Sequence, residues 1–329
     1  MSSESTKRAL KTLSERRDRA LMEASRRNTE ICRRFPRIGE LNFQLSRTGE
    51  RIAKAVFAEE NGGRQAIERI MVETNAIRQE TAAILTQNGY PADYLEVRHA
   101  CERCEDTGYV EGKRCSCLKE LITRYNTLEF NESTHVIPTS FESFSLRYYS
   151  DRASAGGVSS PRETMEAILA FCRAYASSFR PSAPSVLMMG DTGLGKTHLS
   201  LAIADAVMAQ GYSVLYTSAP DLFRKLQNEF YGKGEPGADT METLMSANLT
   251  IIDDLGSEVE NQFSISALYN IVNTRLNAGK PVIISTNLTP KELERRYSDR
   301  VTSRLMTLYK CLKFVGKDVR QIKLKNNEL

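Results

Sequence analysis

Two short stretches of this 329-residue chain combine residue types and spacings that can do phosphate chemistry. "GDTGLGKT", Gly190 to Thr197, follows an apolar run and opens a helical pattern, the strand–loop–helix setting in which G-x-x-x-x-G-K-[ST] binds phosphate. Its glycines let backbone N–H groups approach phosphate oxygens without a Cβ clash, and the helix N-terminus adds partial positive charge. Lys196 has the reach for β- and γ-phosphates, and the Thr197 hydroxyl suits Mg²⁺. "LTIIDDLG" sets Asp253 and Asp254 at the carboxyl end of an apolar strand, where ligands of open α/β sheets sit. Two adjacent carboxylates at a buried strand end are costly without a cation. Asp253 is therefore expected to hold the Mg²⁺ shell, and Asp254 to orient or deprotonate a water.

Other polar positions fit around this pair. "PVIISTN" ends a strand on Asn287, which either positions the lytic water or caps the next helix. "ERRYSDRVTSRL" carries Arg295, Arg296, Arg300 and Arg304; the last two share a helical face and are candidates to neutralise charge on a γ-phosphate, against a solvated basic helix. "DLFRKLQNEFYGKG" offers Phe223, Arg224, Lys225, Phe230, Tyr231 and Lys233 for single-stranded DNA, while Phe223 and Phe230, seven apart, also fit a core stripe. The basic alternative is Lys313, Lys317 and Lys323.

A third cluster is "CERCEDTGYVEGKRCSC", which spends four of the seven cysteines on Cys101, Cys104, Cys115 and Cys117. A lone C-x-x-C reads as a redox dithiol, but a second pair ten residues on favours a tetrahedral Zn²⁺ site that fixes a segment with little core of its own. His135 is a substitute ligand.

The elements that must position these residues are legible from periodicity. Apolar strands and helices alternate from residue 185 to 316, so a parallel sheet with helices on both faces is expected. Residues 1–90 read as three thinly apolar helices (5–32, 41–60 and 64–90), punctuated by Pro36, Gly39 and the "NGG" at 61–63, a pattern suited to docking on a partner. The division expected is a helical docking module at 1–98, a zinc knuckle with connecting helix at 99–135, and an ATPase domain at 136–329. Residues 1–40 carry eleven Lys/Arg against six Asp/Glu and residues 291–329 eleven against five, so the basic charge gathers at the ends, as suits nucleic acid or an acidic partner. The odd cysteine count fits a reduced cytoplasmic protein, and neither a secretory leader nor an 18-residue apolar run is seen.

"GDTGLGKTHLSLAIADAV", "LTIIDDLG", "STNL" and "DRVTSRL" resemble the AAA+ ATPases of the DnaC/DnaI type, bacterial replicative-helicase loaders akin to IstB-like transposition ATPases. The resemblance covers roughly residues 137–320, and "C-x-x-C-x-D-T-G-Y … C-x-C" looks like the N-terminal part of the DnaI-like branch. It implies a P-loop sheet of strand order 5-1-4-3-2, slow ATP hydrolysis, self-association through the ATPase domain, and binding to single-stranded DNA and a replicative helicase. It also implies that the nucleotide is met by Gly190, Asp191, Thr192, Gly193, Leu194, Gly195, Lys196, Thr197 and His198 with Asp253. Arg320, in "GKDVR", resembles a second sensor within a closing strand and turn. Asp254, Asn287 and Arg304 take the water-activating, γ-phosphate-sensing and arginine-finger positions, with Arg300 the second candidate for the finger. Asp254 stands where many such enzymes have Glu, and that shorter carboxylate suits a nucleotide-gated switch. The alternatives are an IstB-like helper of a transposase and an adaptor that uses ATP only for stability.

Overall fold

The three inner strands of the main sheet are runs of β-branched and aliphatic residues buried on both faces, the composition that a parallel sheet between two helical layers demands, whereas an edge strand, Lys310–Lys313, is largely exposed. The computed structural model describes residues 4–57, 63–133, 139–152, 159–234 and 239–326, which fall into two compact units: Ala9–Leu118, and Met1–Arg8 with Lys119–Leu329. His135 lies outside the described residues.

In the first unit, α1 (Glu4–Arg34), α2 (Pro36–Ser46), α3 (Thr48–Phe57) and α4 (Gly63–Gln87) are followed by a two-stranded hairpin, β1 (Tyr109–Val110) and β2 (Lys113–Arg114). The four helices differ from the three expected because the middle one, expected over 41–60, divides at Arg47 into α2 and α3; it also starts earlier, with Pro36 in the first turn of α2, where its missing N–H costs nothing. Gly39 lies inside α2 rather than ending it. The core is thin, as the sparse apolar stripe implies: Ile31, Ile38 and Leu85 are fully buried, with Phe35, Tyr90 and Tyr94 packed against them. Arg27 fastens the chain after α4, donating to the carbonyls of Tyr94 at 2.9 Å and Glu96 at 2.8 Å.

The second unit is built on β3 (Val186–Met189), β4 (Val214–Ser218), β5 (Leu249–Leu255), β6 (Val282–Thr286) and β7 (Lys310–Lys313), all parallel in the order β4-β5-β6-β3-β7. Numbered within this domain, that order is 5-1-4-3-2 read from the opposite edge. Side chains alternate between the layers: Met188, Ile251 and Ile283 face α6 (Pro161–Ser177) and α7 (Lys196–Ala209), whereas Leu187, Ile252 and Ile284 face α8 (Ala219–Phe230), α9 (Thr240–Ser246), α10 (Gln262–Asn277) and α11 (Pro290–Leu308). α5 (Ser116–Ser133) precedes two 3₁₀ turns, Phe141–Ser143 and Leu146–Tyr148. Asn131, near the end of α5, covers the sheet edge by giving its side-chain N–H to Val214 O at 2.8 Å and taking the Tyr216 N–H at 3.0 Å.

Two parts of the chain depart from expectation. α11 is broken at Ser298, whose φ of +74° is non-helical, so the arginine-bearing segment is two helices meeting at a kink. The segment after β7 forms no closing strand: Asp318 accepts the N–H groups of Arg320 and Gln321, and this N-cap starts α12 (Val319–Lys325). Among the described residues no helix is long and apolar enough to cross a membrane.

Candidate nucleotide and metal sites

The phosphate loop leaves β3 through left-handed backbone. Gly193 and Gly195 have φ of +75° and +88°, and a Cβ on Gly195 would lie 2.7 Å from the Phe144 ring. Gly195 then caps α7, so the first N–H groups of that helix open toward the loop. Lys196 is buried and donates to the loop's own carbonyls, Gly190 O at 2.6 Å and Asp191 O at 2.8 Å. Burial lowers its pKa, and the nearby carboxylates of Asp254, Asp253 and Asp191 oppose that shift. Thr197 Oγ1 donates to Asp253 Oδ2 at 2.8 Å, so lysine, hydroxyl and carboxylate meet at one mouth.

Asp253 is buried at the end of β5, and Asp254 beside it is exposed. The two diverge because Asp254 takes a φ of +57° where the β5–β6 ladder shifts register between Ile252 and Leu255. Thr286 Oγ1 donates to Leu255 O at 2.6 Å and Gly190 N to Thr286 O at 3.3 Å, which ties the ends of β5, β6 and β3 together. Asn287 is the next residue along, exposed at that junction. It does not cap α11; Thr289 does, in a capping box with Glu292.

The segment before α6 lies against the loop. Tyr149 donates to Leu194 O at 2.9 Å and stacks on Phe144, and Phe144 meets the His198 ring edge-on at 5.3 Å. His198 Nε2 lies 3.1 Å from Ser140 O, and burial lowers its pKa. Sequence reasoning passed over Phe144 and Tyr149; their signal was the aromatic run "FESFSLRYY", which fits no strand or helix period. Val319 N donates to Gly193 O at 3.0 Å, which brings α12 and the exposed Arg320 to the loop.

The arginines separate by partner. Arg296 is not solvated: it donates to Glu258 O and lies 3.4 Å from Glu258 Oε1, while Glu258 also accepts the Tyr297 hydroxyl. Arg300 is exposed, and Arg304 lies over the Tyr269 ring at 5.2 Å with Nη1 donating to Arg300 O at 3.0 Å. In "DLFRKLQNEFYGKG" the two phenylalanines divide, Phe223 being 5% exposed and Phe230 71%. Lys225 Nζ sits 3.9 Å above the Phe130 ring, while Phe230, Tyr231, Lys233 and Arg224, which pairs with Asp221 at 2.7 Å, are exposed.

In the Ala9–Leu118 unit the four knuckle cysteines converge, all sulfurs within 4.8 Å of one another. Cys101 and Cys115 are 3.8 Å apart, and Cys104 and Cys117 3.4 Å. Four thiolates about 2.3 Å from a tetrahedral ion stand about 3.8 Å apart, so the donor set fits Zn²⁺. Burial raises the thiols of Cys104 and Cys117, whereas the Cys117 N–H lowers that of Cys115. Asp106 organises the turn: buried, with φ of +57°, it accepts Ala100 N at 2.8 Å and Cys101 N at 3.1 Å. Sequence reasoning missed that role, although C-x-x-C-x-D-T-G holds the residue.

Comparison with known proteins falls on the same domain. Residues 172–311 match the family described as IstB-like ATP binding protein. That match covers less than half of the chain. The replicative helicase loader DnaC of Escherichia coli K12 is 26% identical over 137 residues, 42% of this chain and 56% of DnaC. The match thus spans little more than half of that relative. The phage-like element PBSX protein XkdC of Bacillus subtilis is 26% identical over 219 residues, 62% of this chain and 78% of XkdC. Among solved structures, the DnaC helicase loader overlaps 53% of this chain and 97% of its own, at 23% identity and TM-score 0.43. DnaI overlaps 55% of this chain and 89% of its own, at 20% identity and TM-score 0.43. The DnaC-type resemblance read from the motifs of the ATP-binding domain stands with these sequence relatives.

Proposed function

We propose that this protein is an ATP-dependent loader that places a replicative helicase on single-stranded DNA. The observation that carries the reading is the joining of Lys196, Thr197 and Asp253 at the end of a P-loop strand, in a domain similar in sequence to DnaC. In this reading residues 1–98 dock the helicase, 99–135 are the zinc knuckle and connecting helix, and 136–329 are the ATPase, acting in the cytoplasm. The oxygen donors Thr197 and Asp253 suit Mg²⁺, and the four cysteines suit Zn²⁺.

Thr197 and Asp253 would hold Mg²⁺, which when bound would supply positive charge to offset that of the phosphates. Lys196 exchanges its loop carbonyls for phosphate oxygens, while the loop N–H groups and the α7 N-terminus hold the chain of phosphates, with His198 and Arg320 at the rim. Asp254, turned outward by its left-handed backbone, is the carboxylate left to take a proton from water, and Asn287 aligns that water. Asp254 is short and exposed, so turnover is slow and the nucleotide acts as a switch. Arg304, or Arg300, serves a neighbouring subunit's nucleotide, which couples hydrolysis to assembly. Phe230 and Tyr231 supply stacking faces for DNA and Lys233 a phosphate contact.

Capture of partners by the full-length tagged protein from native lysate tests the reading. Recovery of the replicative helicase is expected; recovery of a transposase in its place would favour the IstB-like alternative. Fluorescence anisotropy of a labelled oligonucleotide across a salt series tests the DNA contacts. Phe230→Ala with Tyr231→Ala should weaken binding by about 10-fold or more at every salt, the scale of one or two lost base stacks. Unchanged affinity would shift the DNA site to the segment around Lys313, Lys317 and Lys323.

A further inference from the structure

Three hydroxyls converge on the Asp253 carboxylate, and the nucleotide reading uses one of them. Thr197 Oγ1 and Tyr216 Oη both donate to Oδ2, each at 2.8 Å, and Ser285 Oγ donates to Oδ1. Tyr216 belongs to β4 and Ser285 to β6, the strands on either side of β5, so the carboxylate is gripped from both neighbours. Ser285 has a second bond, accepting the Asp254 N–H at 2.9 Å. Its single proton goes to one acid while its lone pair holds the backbone of the other.

This second bond falls where the sheet is irregular. Asp254 has the left-handed φ of +57°, the ladder shifts register between Ile252 and Leu255, and the Asp254 N–H points to Ser285 Oγ. A non-glycine residue holds that conformation only where its surroundings over-determine it. Ser285 therefore closes the irregularity that sends the two carboxylates in different directions. Tyr216 is as firmly set: Asn131 takes its backbone N–H at 3.0 Å, and its hydroxyl donates to the carboxylate. Hydroxyls placed only to fill a core would not need to satisfy both oxygens of one carboxylate beside the P-loop threonine.

We propose that Ser285 and Tyr216 are positioning residues for the divalent cation: together they set the Asp253 carboxylate, and Ser285 also sets the Asp254 backbone. The proposal rests on the nucleotide reading above. Its physical content is that Asp253 without these donors is free to rotate and meets the metal less well, as outer-shell partners of metal ligands generally dictate.

The test uses full-length protein and two probes, a fluorescent ADP analogue titrated with Mg²⁺ or with EDTA, and Mn²⁺ binding to the ADP complex followed by electron paramagnetic resonance. Ser285→Ala should weaken Mn²⁺ about 10- to 100-fold and leave ADP affinity in EDTA within about twofold of wild type, since nothing in the metal-free phosphate cradle is removed. Tyr216→Phe should shift Mn²⁺ affinity in the same direction, and Ser285→Thr, which keeps a hydroxyl on a β-branched strand residue, should restore it. Wild-type Mn²⁺ affinity in both Ser285→Ala and Tyr216→Phe would overturn the proposal. So would a loss in EDTA equal to the loss in Mg²⁺, which marks a general loosening of the site. If Ser285→Ala fails to fold, Tyr216→Phe and Ser285→Thr decide by the same readouts. Wild-type protein that binds ADP in neither condition would instead overturn the nucleotide reading, a result the variants cannot mimic.

Discussion

Lys196 and Asp254 belong to one mouth but carry different tasks, and their variants should separate. Lys196→Ala removes the ammonium that now rests on Gly190 O and Asp191 O. Nucleotide affinity should fall about 10- to 100-fold, the ~1.5–3 kcal/mol of a hydrogen bond to a charged group. Asp254→Asn keeps the Thr197–Asp253 pair intact, so ADP and ATP should bind as in wild type while hydrolysis slows about 10²-fold or more, the scale of a lost general base. Isothermal titration and single-turnover hydrolysis check the two. Wild-type turnover in Asp254→Asn would remove that carboxylate from the reaction.

At the scale of elements, two devices hold segments whose own apolar content is small. α9 is seven residues long, and its C-terminal carbonyls point at Arg275. That guanidinium is fully buried and donates to Leu244 O, to Ala247 O at 3.1 Å and to Pro281 O at 2.8 Å; Lys280 adds bonds to Met245 O at 2.7 Å and Ser246 O at 2.9 Å. Two cations at a helix C-terminus complement its dipole. Burial lowers the Arg275 pKa to about 10, so it is charged throughout the neutral range. Arg275→Met should destabilise the domain by about 2–4 kcal/mol, because several buried carbonyls lose their donors, a shift that urea denaturation would reveal. The knuckle is held by coordination in the same sense. Protein purified without chelator should contain about one Zn²⁺ per chain, and its removal should loosen the Asp106 turn. Elemental analysis that finds no zinc would refute the metal reading of Cys101, Cys104, Cys115 and Cys117.

For the whole molecule, the proposed sharing of a nucleotide site between copies makes a prediction of its own. Arg304 is half-buried over Tyr269 of its own α10 and its neighbour Arg300 is exposed, and the reading proposed above has one of them serve a neighbouring copy's nucleotide. A mixture of Arg304→Ala and Lys196→Ala protein should therefore recover part of the ATPase rate, since each supplies the half that the other lacks. A flat, inactive response at every mixing ratio, with Arg300→Ala as the control, would place the finger within one subunit or remove it.

The P-loop, the two acids and the alternation of strand and helix are local patterns, so the sheet, its two helical layers and the placing of Gly190–Thr197 and Asp253 at strand ends were legible from residue order. The C-x-x-C and C-x-C pairs were likewise enough to anticipate one cluster, because short chain segments bring them together. Tertiary structure alone decided which neighbours complete these sites. Tyr216, Ser285 and Asp253 come from three strands separated by many residues, and no period links them. The division of Phe223 from Phe230 depended on where α8 ends against the core, and the loss of Arg296 as a free cation depended on Glu258 arriving from the loop after β5. The kink at Ser298 and the helix begun by Asp318 were hidden for the same reason: a positive φ and a cap are imposed by surroundings, whereas hydrophobic periodicity records only which face is buried.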